Sequence, residues 1–572
     1  MKKAYFILIV FFLVVILAMP RFVGLDKFVS LDEPFWVRNG ANFYYALSQH
    51  QFENTIYEYH PGITTMWVVS LGLLAYFPNY GALQEGYLPK KQFDEFLAQN
   101  GKTELGLFLY SRLVQSILIV LLLLTIFFLL RSLFGNRTAF FTTALVSLSP
   151  FFLGNSRLLN HEAIMGLFIL ISILGLTIYL FKKGNIFLLI LSALAGALAQ
   201  LTKSTGFLLF PIVGLIVVSY LIESRKDFSS KIILDTLKTL CIWAAVLVAA
   251  YFLFWPGMWV APGQMLDQVY GNALSYGLEG SRISVSGGLT PSQFSVNSQS
   301  EVLGRIGNFI MQMLWHTTPL SWIGFVLGIS FIFIRQKKSV KQIYQWMILY
   351  FIVLAVLFIL LFSIARGRDS AHYILTSYLC VDMIAGLGMS ALLEQISDKW
   401  FEKKRGAVSA GIVVALLAVQ AIFIIGSFPY YYTYLNPLME IAPASAKNVI
   451  YADPSYGEGL ESAAEYLSEK PDADTMTVMS YGGYGCFSFF FPGTTLVIND
   501  VSVVHPSPAI IKYLRASSYV VLDHRFQQAY NDLAGFEGIT PEKIIWINGV
   551  EYFDIYRATD LLERINANLT SQ

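Results

Sequence analysis

The sequence predicts a polytopic α-helical membrane protein that ends in a small α/β domain, and three observations carry that expectation. Of the 572 residues 55% are hydrophobic and only 13% charged, about half the charge of an ordinary soluble chain. Apolar stretches of the roughly 17–25 residues needed to cross a bilayer recur from the N-terminus onward. After Pro429 the pattern changes to short apolar runs separated by turn residues. Lys plus Arg number 39 against 38 Asp plus Glu, a net charge of +1 that implies no nucleic acid or other polyanionic partner. Cys241, Cys380 and Cys486 are too scattered for a metal-binding CxxC pattern or a disulfide framework.

Taken in order, the expected spans lie near 5–20, 113–131, 138–154, 163–181, 185–201, 206–222, 238–256, 308–334, 344–364, 373–393 and 408–427, about 11 in all. The first follows Met1-Lys2-Lys3 as a signal peptide would. Ala18-Met19-Pro20 is a poor cleavage site, however, so this helix is expected to be retained. The apolar segment 63–78 decides the topology of everything after it. If it does not cross, Lys2/Lys3, Arg131 with Arg137, Lys182/Lys183, Arg225 to Lys238, Arg335 to Lys341 and Lys399 to Arg405 all fall on the side of the N-terminus. Positive charge then marks the cytoplasmic side at every turn. Segment 63–78 is therefore expected to lie at the outer membrane surface, within a long first outer loop, 21–112.

This topology divides the chain into a transmembrane catalytic module, 1–428, and an extracytoplasmic α/β domain, 429–572. The expected location is the plasma membrane, multi-pass, with a cytoplasmic N-terminus. In the tail, TMTVMS, TTLVIND and SYVVLDH read as strands and Leu460 to Leu467 as an amphipathic helix. Asn548-Gly549, inside IIWINGVEYFDIY, is a hairpin signal. The loop 257–307, rich in Gly, Ser, Gln and Asn, reads either as a cover over a site or as a flexible connection.

Sorting the polar residues by side shows where chemistry could occur. The cytoplasmic turns hold mainly Lys and Arg. The outer loops and outer helix ends hold Asp32, Glu33, Arg38, His60, Arg157, His161, Glu162, Lys203, Trp259, Arg366, Arg368, His372 and Tyr373. Such one-sided placement suits an outward-facing chamber better than a through-membrane pathway, which needs ionisable residues at several depths. Asp32 and Glu33 could act as a general base or bind a metal; with Pro34 following, they also make a good helix start. Arg157 and Glu162 flank another helix start, SRLLNHEA, where capping is the alternative. Lys203, in LTKSTG, could snorkel to headgroups or hold a phosphate beside Thr202 and Ser204. Arg366, Arg368 and His372 would add positive charge for a pyrophosphate or phosphodiester. Trp259 belongs either to a sugar pocket or to an aromatic belt. Asp382 falls mid-span, where a structural hydrogen-bonding role is expected. No Walker A loop, GxGxxG after a strand or HExxH is present, so a soluble nucleotide cofactor is not supported.

The pieces DEPFWVRNGANFYYAL, HPGITTMW, SRLLNHEAIMGLF, GALAQLTKSTG, FWPGMW, LWHTTPL and RDSAHYIL, in this order, resemble the GT-C superfamily of glycosyltransferases. Within it they are most similar to glycosyltransferase family 39, the protein O-mannosyltransferases, aminoarabinose transferases and their relatives. The resemblance implies an inverting transfer of a monosaccharide from a polyprenyl-phosphate donor to an acceptor hydroxyl on the non-cytoplasmic face. It places Asp32, with Glu33 beside it, as the catalytic first-loop acid and Glu162 as the second acid. Lys203, Arg157, Arg366, Arg368, His372 and Tyr373 fall where the family binds the lipid phosphate, with His60, His161 and Trp259 toward the sugar or acceptor. His372-Tyr373 departs from the family's usual Arg-Tyr. No cofactor is implied and a catalytic divalent metal is not favoured. The acceptor, whether protein, lipid or glycan, stays open. A lipid-linked glycan transporter or flippase, or a polymerase or ligase using a lipid-diphosphate donor, are the alternatives.

Overall fold

The computed structural model describes residues 2–227, 229–273, 282–283, 289–290, 299–333, 340–365, 368, 370–400, 405–438, 456–482, 485–498, 506–524, 536 and 538–570. The principal helices up to residue 425 are α1 (Lys2–Phe22), α2 (Glu33–Ser48), α3 (Ile63–Tyr76), α4 (Glu104–Phe134), α5 (Asn136–Ser147), α6 (Pro150–Ser156), α7 (Glu162–Phe181), α8 (Ile186–Thr202), α9 (Leu209–Glu223), α10 (Ser230–Phe254), α11 (Gln299–His316), α12 (Pro319–Phe333), α13 (Val340–Ile364), α14 (Leu375–Trp400) and α15 (Arg405–Ile425). Among the described residues seven helices are long and apolar enough to cross a membrane, and four shorter apolar ones accompany them. The chain is an integral, multi-pass helical membrane protein with a small sheet domain toward its C-terminus.

The chain forms two compact units. The first comprises Met1–Val23, Asn39–Leu88 and Tyr110–Asn436; the second comprises Gly24–Arg38, Pro89–Leu109 and Pro437–Gln572. The stretch 21–112 is thus shared between them, and segments 24–38 and 89–109 go with the sheet.

In the first unit two of the expected spans are broken. The stretch 138–154 is interrupted between α5 and α6, where Ser149 is extended ahead of Pro150. The stretch 308–334 is interrupted between α11 and α12, where Pro319 starts the new helix and the Ser321 amide donates to Thr318 Oγ1 at 3.2 Å. Proline lacks the N–H that would continue a helix and pushes the preceding residue out of helical geometry, which hydropathy alone does not register. Helix α3 has 14 residues, about 21 Å, less than the roughly 30 Å of a hydrocarbon core.

Small residues set the tightest packing. Helix α14 is almost wholly buried. A Cβ on Gly388 would come within 2.5 Å of Gly328 Cα, and one on Gly386 within 2.7 Å of Thr142 Cα. Gly324 and Gly328 form a GxxxG face on α12, and Gly324 meets Ala385 in the same way. Asp382 on α14 is buried with the hydroxyls of Ser321 and Ser149 beside it. At the end of α1 the buried Arg21 donates to Leu17 O at 2.9 Å and to Ser147 Oγ at 2.7 Å, so carbonyls and hydroxyls at two helix ends share one guanidinium.

In the second unit five strands, β1 (Thr477–Tyr481), β2 (Thr494–Ile498), β3 (Tyr519–Asp523), β4 (Lys543–Ile547) and β5 (Val550–Arg557), lie in the order β2-β1-β3-β5-β4. Strands β1 and β2, and β1 and β3, are parallel; β3–β5 and β5–β4 are antiparallel. Asn548 (φ 51°) and Gly549 (φ 79°) make the two-residue turn between β4 and β5, a positive-φ pair of type I′ character. Helices α16 (Leu460–Ser468), α17 (Pro508–Ala516) and α18 (Ala558–Thr570) complete the unit. Met479, Val520, Leu522, Leu514, Leu561 and Ile565 form the core of one face of the sheet. Segment 24–38 joins through the Leu31 amide, which donates to Tyr456 O at 3.0 Å.

Candidate functional site

Helices α7 and α8 are antiparallel neighbours of 20 and 17 residues, joined by a turn in which Lys183 has φ 50°. Near-equal apolar runs on the two arms bring the first residue of α7, Glu162, level with the residue just past the end of α8, Lys203. Midway along, Ser192 Oγ donates to Ser172 O at 2.7 Å and keeps this register. Lys203 Nζ and Glu162 Oε1 form an ion pair with side chains 2% and 6% exposed. Taking two charges out of water is costly, so such a pair is weak evidence for stability and stronger evidence for a task.

The start of α3 closes over the same place. Gly62 enters the helix with φ 60°, a left-handed conformation that favours glycine, and its amide donates to Thr202 O at 3.2 Å. Thr64 Oγ1 donates to Thr202 Oγ1 at 2.8 Å, and Thr65 Oγ1 lies 2.7 Å from His161 Nδ1. His60 is half-buried, its ring 4.0 Å from that of Tyr59.

Tyr373 lies between two cations. Lys203 Nζ is 4.8 Å and Arg368 Cζ 5.1 Å from its ring centroid. Arg368 donates to Tyr373 Oη at 2.5 Å and to Tyr59 Oη. The ring of His372 is 4.2 Å from that of Tyr373, and His372 is close enough to interact electrostatically with Glu162. Lys203, Arg368 and Glu162 sum to a net positive charge held by aromatic faces, an arrangement suited to an anion.

Thus Glu162, Lys203, His161, Arg368, His372 and Tyr373 are gathered in the first unit. Arg157 belongs to a different contact. Its guanidinium donates to Val23 O at 2.5 Å and Pro429 O at 3.2 Å and lies over the Tyr431 ring. Trp259 is 53% exposed, with its indole N–H on Phe252 O at 2.6 Å. Arg366 lies outside the described residues, as do 274–281, 284–288 and 291–298 of the expected cover loop. Nothing in the sequence alone marks Tyr59 or Thr65. Both fall in or beside the HPGITTMW stretch, and only the tertiary structure shows what they touch.

The first-loop acids are in the second unit. Ser30-Leu31-Asp32-Glu33 is an S-x-x-E start, and Glu33 Oε2 accepts from the Ser30 amide at 2.8 Å as in a capping box. Glu33 is fully buried, whereas Asp32 is exposed and accepts a hydrogen bond from Tyr456 Oη at 2.5 Å. Burial pushes the Cys486 thiol well above its ordinary pKa, and the carboxylates of Glu33, Glu461, Glu458 and Asp32 push the same way. Burial lowers the Arg38 pKa, opposed by Glu104 and Asp94. Among the described residues no group of three His, Cys, Asp or Glu is placed to hold a metal ion.

The model of the family described as dolichyl-phosphate-mannose-protein mannosyltransferase matches residues 102–255, which include Glu162 and Lys203. The match takes in about a quarter of the chain, and over that stretch this multi-pass helical chain is similar to that family. No curated protein matches the sequence. Among solved structures, ArnT from Cupriavidus metallidurans bound to undecaprenyl phosphate is similar at 12% identity, covering 97% of this chain and 98% of that one with a TM-score of 0.45. The oligosaccharyltransferase of Archaeoglobus fulgidus in its apo form is similar at 14% identity, covering 93% of this chain and 71% of that one with a TM-score of 0.42. At these TM-scores the two likenesses carry no conclusion about this chain.

Proposed function

We propose that the protein transfers a monosaccharide from a polyprenyl-phosphate donor to an acceptor hydroxyl on the non-cytoplasmic side of the plasma membrane, with inversion at the sugar. The N-terminus is then cytoplasmic, 1–428 is the catalytic module and 429–572 an extracytoplasmic domain. The observation that carries this reading is the buried Glu162–Lys203 pair, inside the part of the chain that matches a family described by a prenyl-phosphate sugar donor, with Arg368 and Tyr373 of a later segment beside it.

In this scheme the acceptor oxygen attacks the anomeric carbon, the bond from that carbon to the phosphate oxygen breaks, and the phosphate departs on its lipid. Lys203 and Arg368 stabilise the charge developing on that phosphate, and Tyr373 and His372 position it. Glu162 holds the Lys203 ammonium in place. Asp32, exposed and oriented by Tyr456, takes the proton of the acceptor hydroxyl, while Glu33 fixes the helix start that presents it. His60, His161 and Trp259 are assigned to the sugar or acceptor and Arg366 to secondary support of the donor phosphate, while Arg157, tied to Val23 O and Pro429 O, would have to leave those partners to reach it. No cofactor is invoked.

The test uses purified protein with a panel of polyprenyl-phosphate sugars and candidate acceptors, products being read by mass. Asp32→Asn lowers transfer by about 10²–10⁴-fold with expression and membrane insertion unchanged. Full activity in that variant would remove Asp32 from the base role. Products that appear only with lipid-diphosphate donors would replace the donor class.

A further inference from the structure

Away from the candidate site, α1, α5 and α15 enclose a groove of about 460 Å³. Leu8, Phe12 and Ile16 of α1, Phe140 of α5 and Val413 of α15 make its walls apolar, and Arg137 lines it near the start of α5. That end of the groove is basic by construction. Helix α5 of 12 residues begins after Gly135 (φ 86°), which leaves its first amides and the positive end of its dipole toward the same place. Arg131 adds a second guanidinium. Its Nε donates to Asn136 Oδ1 at 2.6 Å, and its Cζ lies 4.0 Å from the Phe6 ring, which puts the starts of α1 and α5 at one level.

An apolar slot with cations at one mouth matches an amphiphile with one hydrocarbon chain in the slot and an anionic head at the mouth. Its volume falls within the roughly 300–1,000 Å³ of ordinary ligand sites. A soluble anion would gain nothing from the walls, a lipid without a phosphate nothing from Arg137, and a zwitterionic lipid would bring its own cation against the basic mouth. We propose that this groove is a binding site for an anionic glycerophospholipid, drawn from the leaflet on the side of the chain's N-terminus, with one acyl chain against Phe12, Phe140 and Val413 and its phosphate at Arg137. Such a lipid would fasten the first helix of the chain to the last long apolar one.

The full-length protein in mixed micelles is offered phosphatidylglycerol and phosphatidylcholine of the same acyl composition, and retained lipid is counted by native mass spectrometry. Phosphatidylglycerol is retained about tenfold over phosphatidylcholine, which carries the same phosphate but also a quaternary ammonium that the basic mouth repels. Arg137→Gln removes the preference, and Ala410→Trp, which fills the slot, lowers retention of both lipids. Equal retention by the unaltered protein overturns the proposal, even if neither variant can be purified. A preference that survives Arg137→Gln overturns it too, as does retention of both lipids undiminished by Ala410→Trp.

Discussion

Two Lys–Glu pairs, one in each unit, use the same chemistry to opposite ends. Lys203 and Glu162 are 2% and 6% exposed, at the ends of two apolar helices. Lys470 and Glu542 are 27% and 17% exposed on the sheet domain, where Glu542 also accepts from Arg557, Tyr466 and Tyr519. A surface pair contributes about 0–1 kcal/mol, while a pair buried away from water costs more in desolvation than its attraction reliably returns. The second pair is what a small domain uses to hold its edges together. Stability alone gives no reason to keep the first, and under the proposed function that contrast marks the first unit as the place where charge is held for a ligand.

The largest effect that could break this contrast is a double-mutant cycle on the buried pair. Lys203→Met alone leaves the Glu162 carboxylate in an apolar setting and costs about 3–5 kcal/mol. Glu162→Gln combined with Lys203→Met removes both charges and recovers most of that loss, yet transfer stays absent. Thermal unfolding in detergent and a product assay read the two quantities separately. If the double variant is as unstable as the single one, the pair is structural. If it is active, Lys203 does not bind the donor phosphate.

A smaller effect is expected where packing rather than charge is altered. Gly328→Leu drives a side chain into the Ile384–Gly388 stretch of α14, where Ile384 O lies 2.7 Å from the position of its Cβ. Overpacking of this kind costs about 1–3 kcal/mol. Because α14 follows directly on the turn that holds His372 and Tyr373, transfer falls together with stability. Gly411→Leu, on α15 with open space at its Cβ, changes neither. Equal behaviour of the two variants in the unfolding experiment would mean that the α12–α14 contact is not tight.

How much of this was legible beforehand follows the range of the interactions. Local signals were read directly: period and composition for most spans, Asn548-Gly549 for the hairpin, and the alternating tail segments for the strands of the sheet. The two broken spans, at Pro150 and Pro319, carried their own proline signals but were hidden inside continuous apolar runs. Side contacts were illegible for a different reason. Glu162 and Lys203 are brought together by the near-equal lengths of α7 and α8, which the sequence contains only implicitly. Tyr59 and Arg368 are separated by 309 positions and meet only through the tertiary fold. The sharing of the stretch 21–112 between the two units likewise depends on contacts such as Leu31 to Tyr456.

The smallest effect tests the surface half of the comparison through pH. Burial alone would raise the Glu542 carboxyl, but hydrogen bonds from Lys470, Arg557, Tyr466 and Tyr519 outweigh it and hold the group at about 2. A carboxylate whose folded value is depressed contributes stability that is complete above its unfolded value, near 4.3, and is lost as the pH falls through the folded value. The window is therefore about pH 4.5 down to 2. Solvent screening keeps the contribution within roughly 1 kcal/mol. Hydrogen exchange of the β4–β5 hairpin amides, compared at equal pH between the unaltered protein and Glu542→Gln, reads it. The variant exchanges up to about fivefold faster at pH 6, and the difference closes toward pH 2 as the native carboxylate is protonated. A difference that stays constant across this window would show that the tyrosine and lysine contacts act by packing, and that charge has no part in either the sheet edge or its contrast with the buried pair.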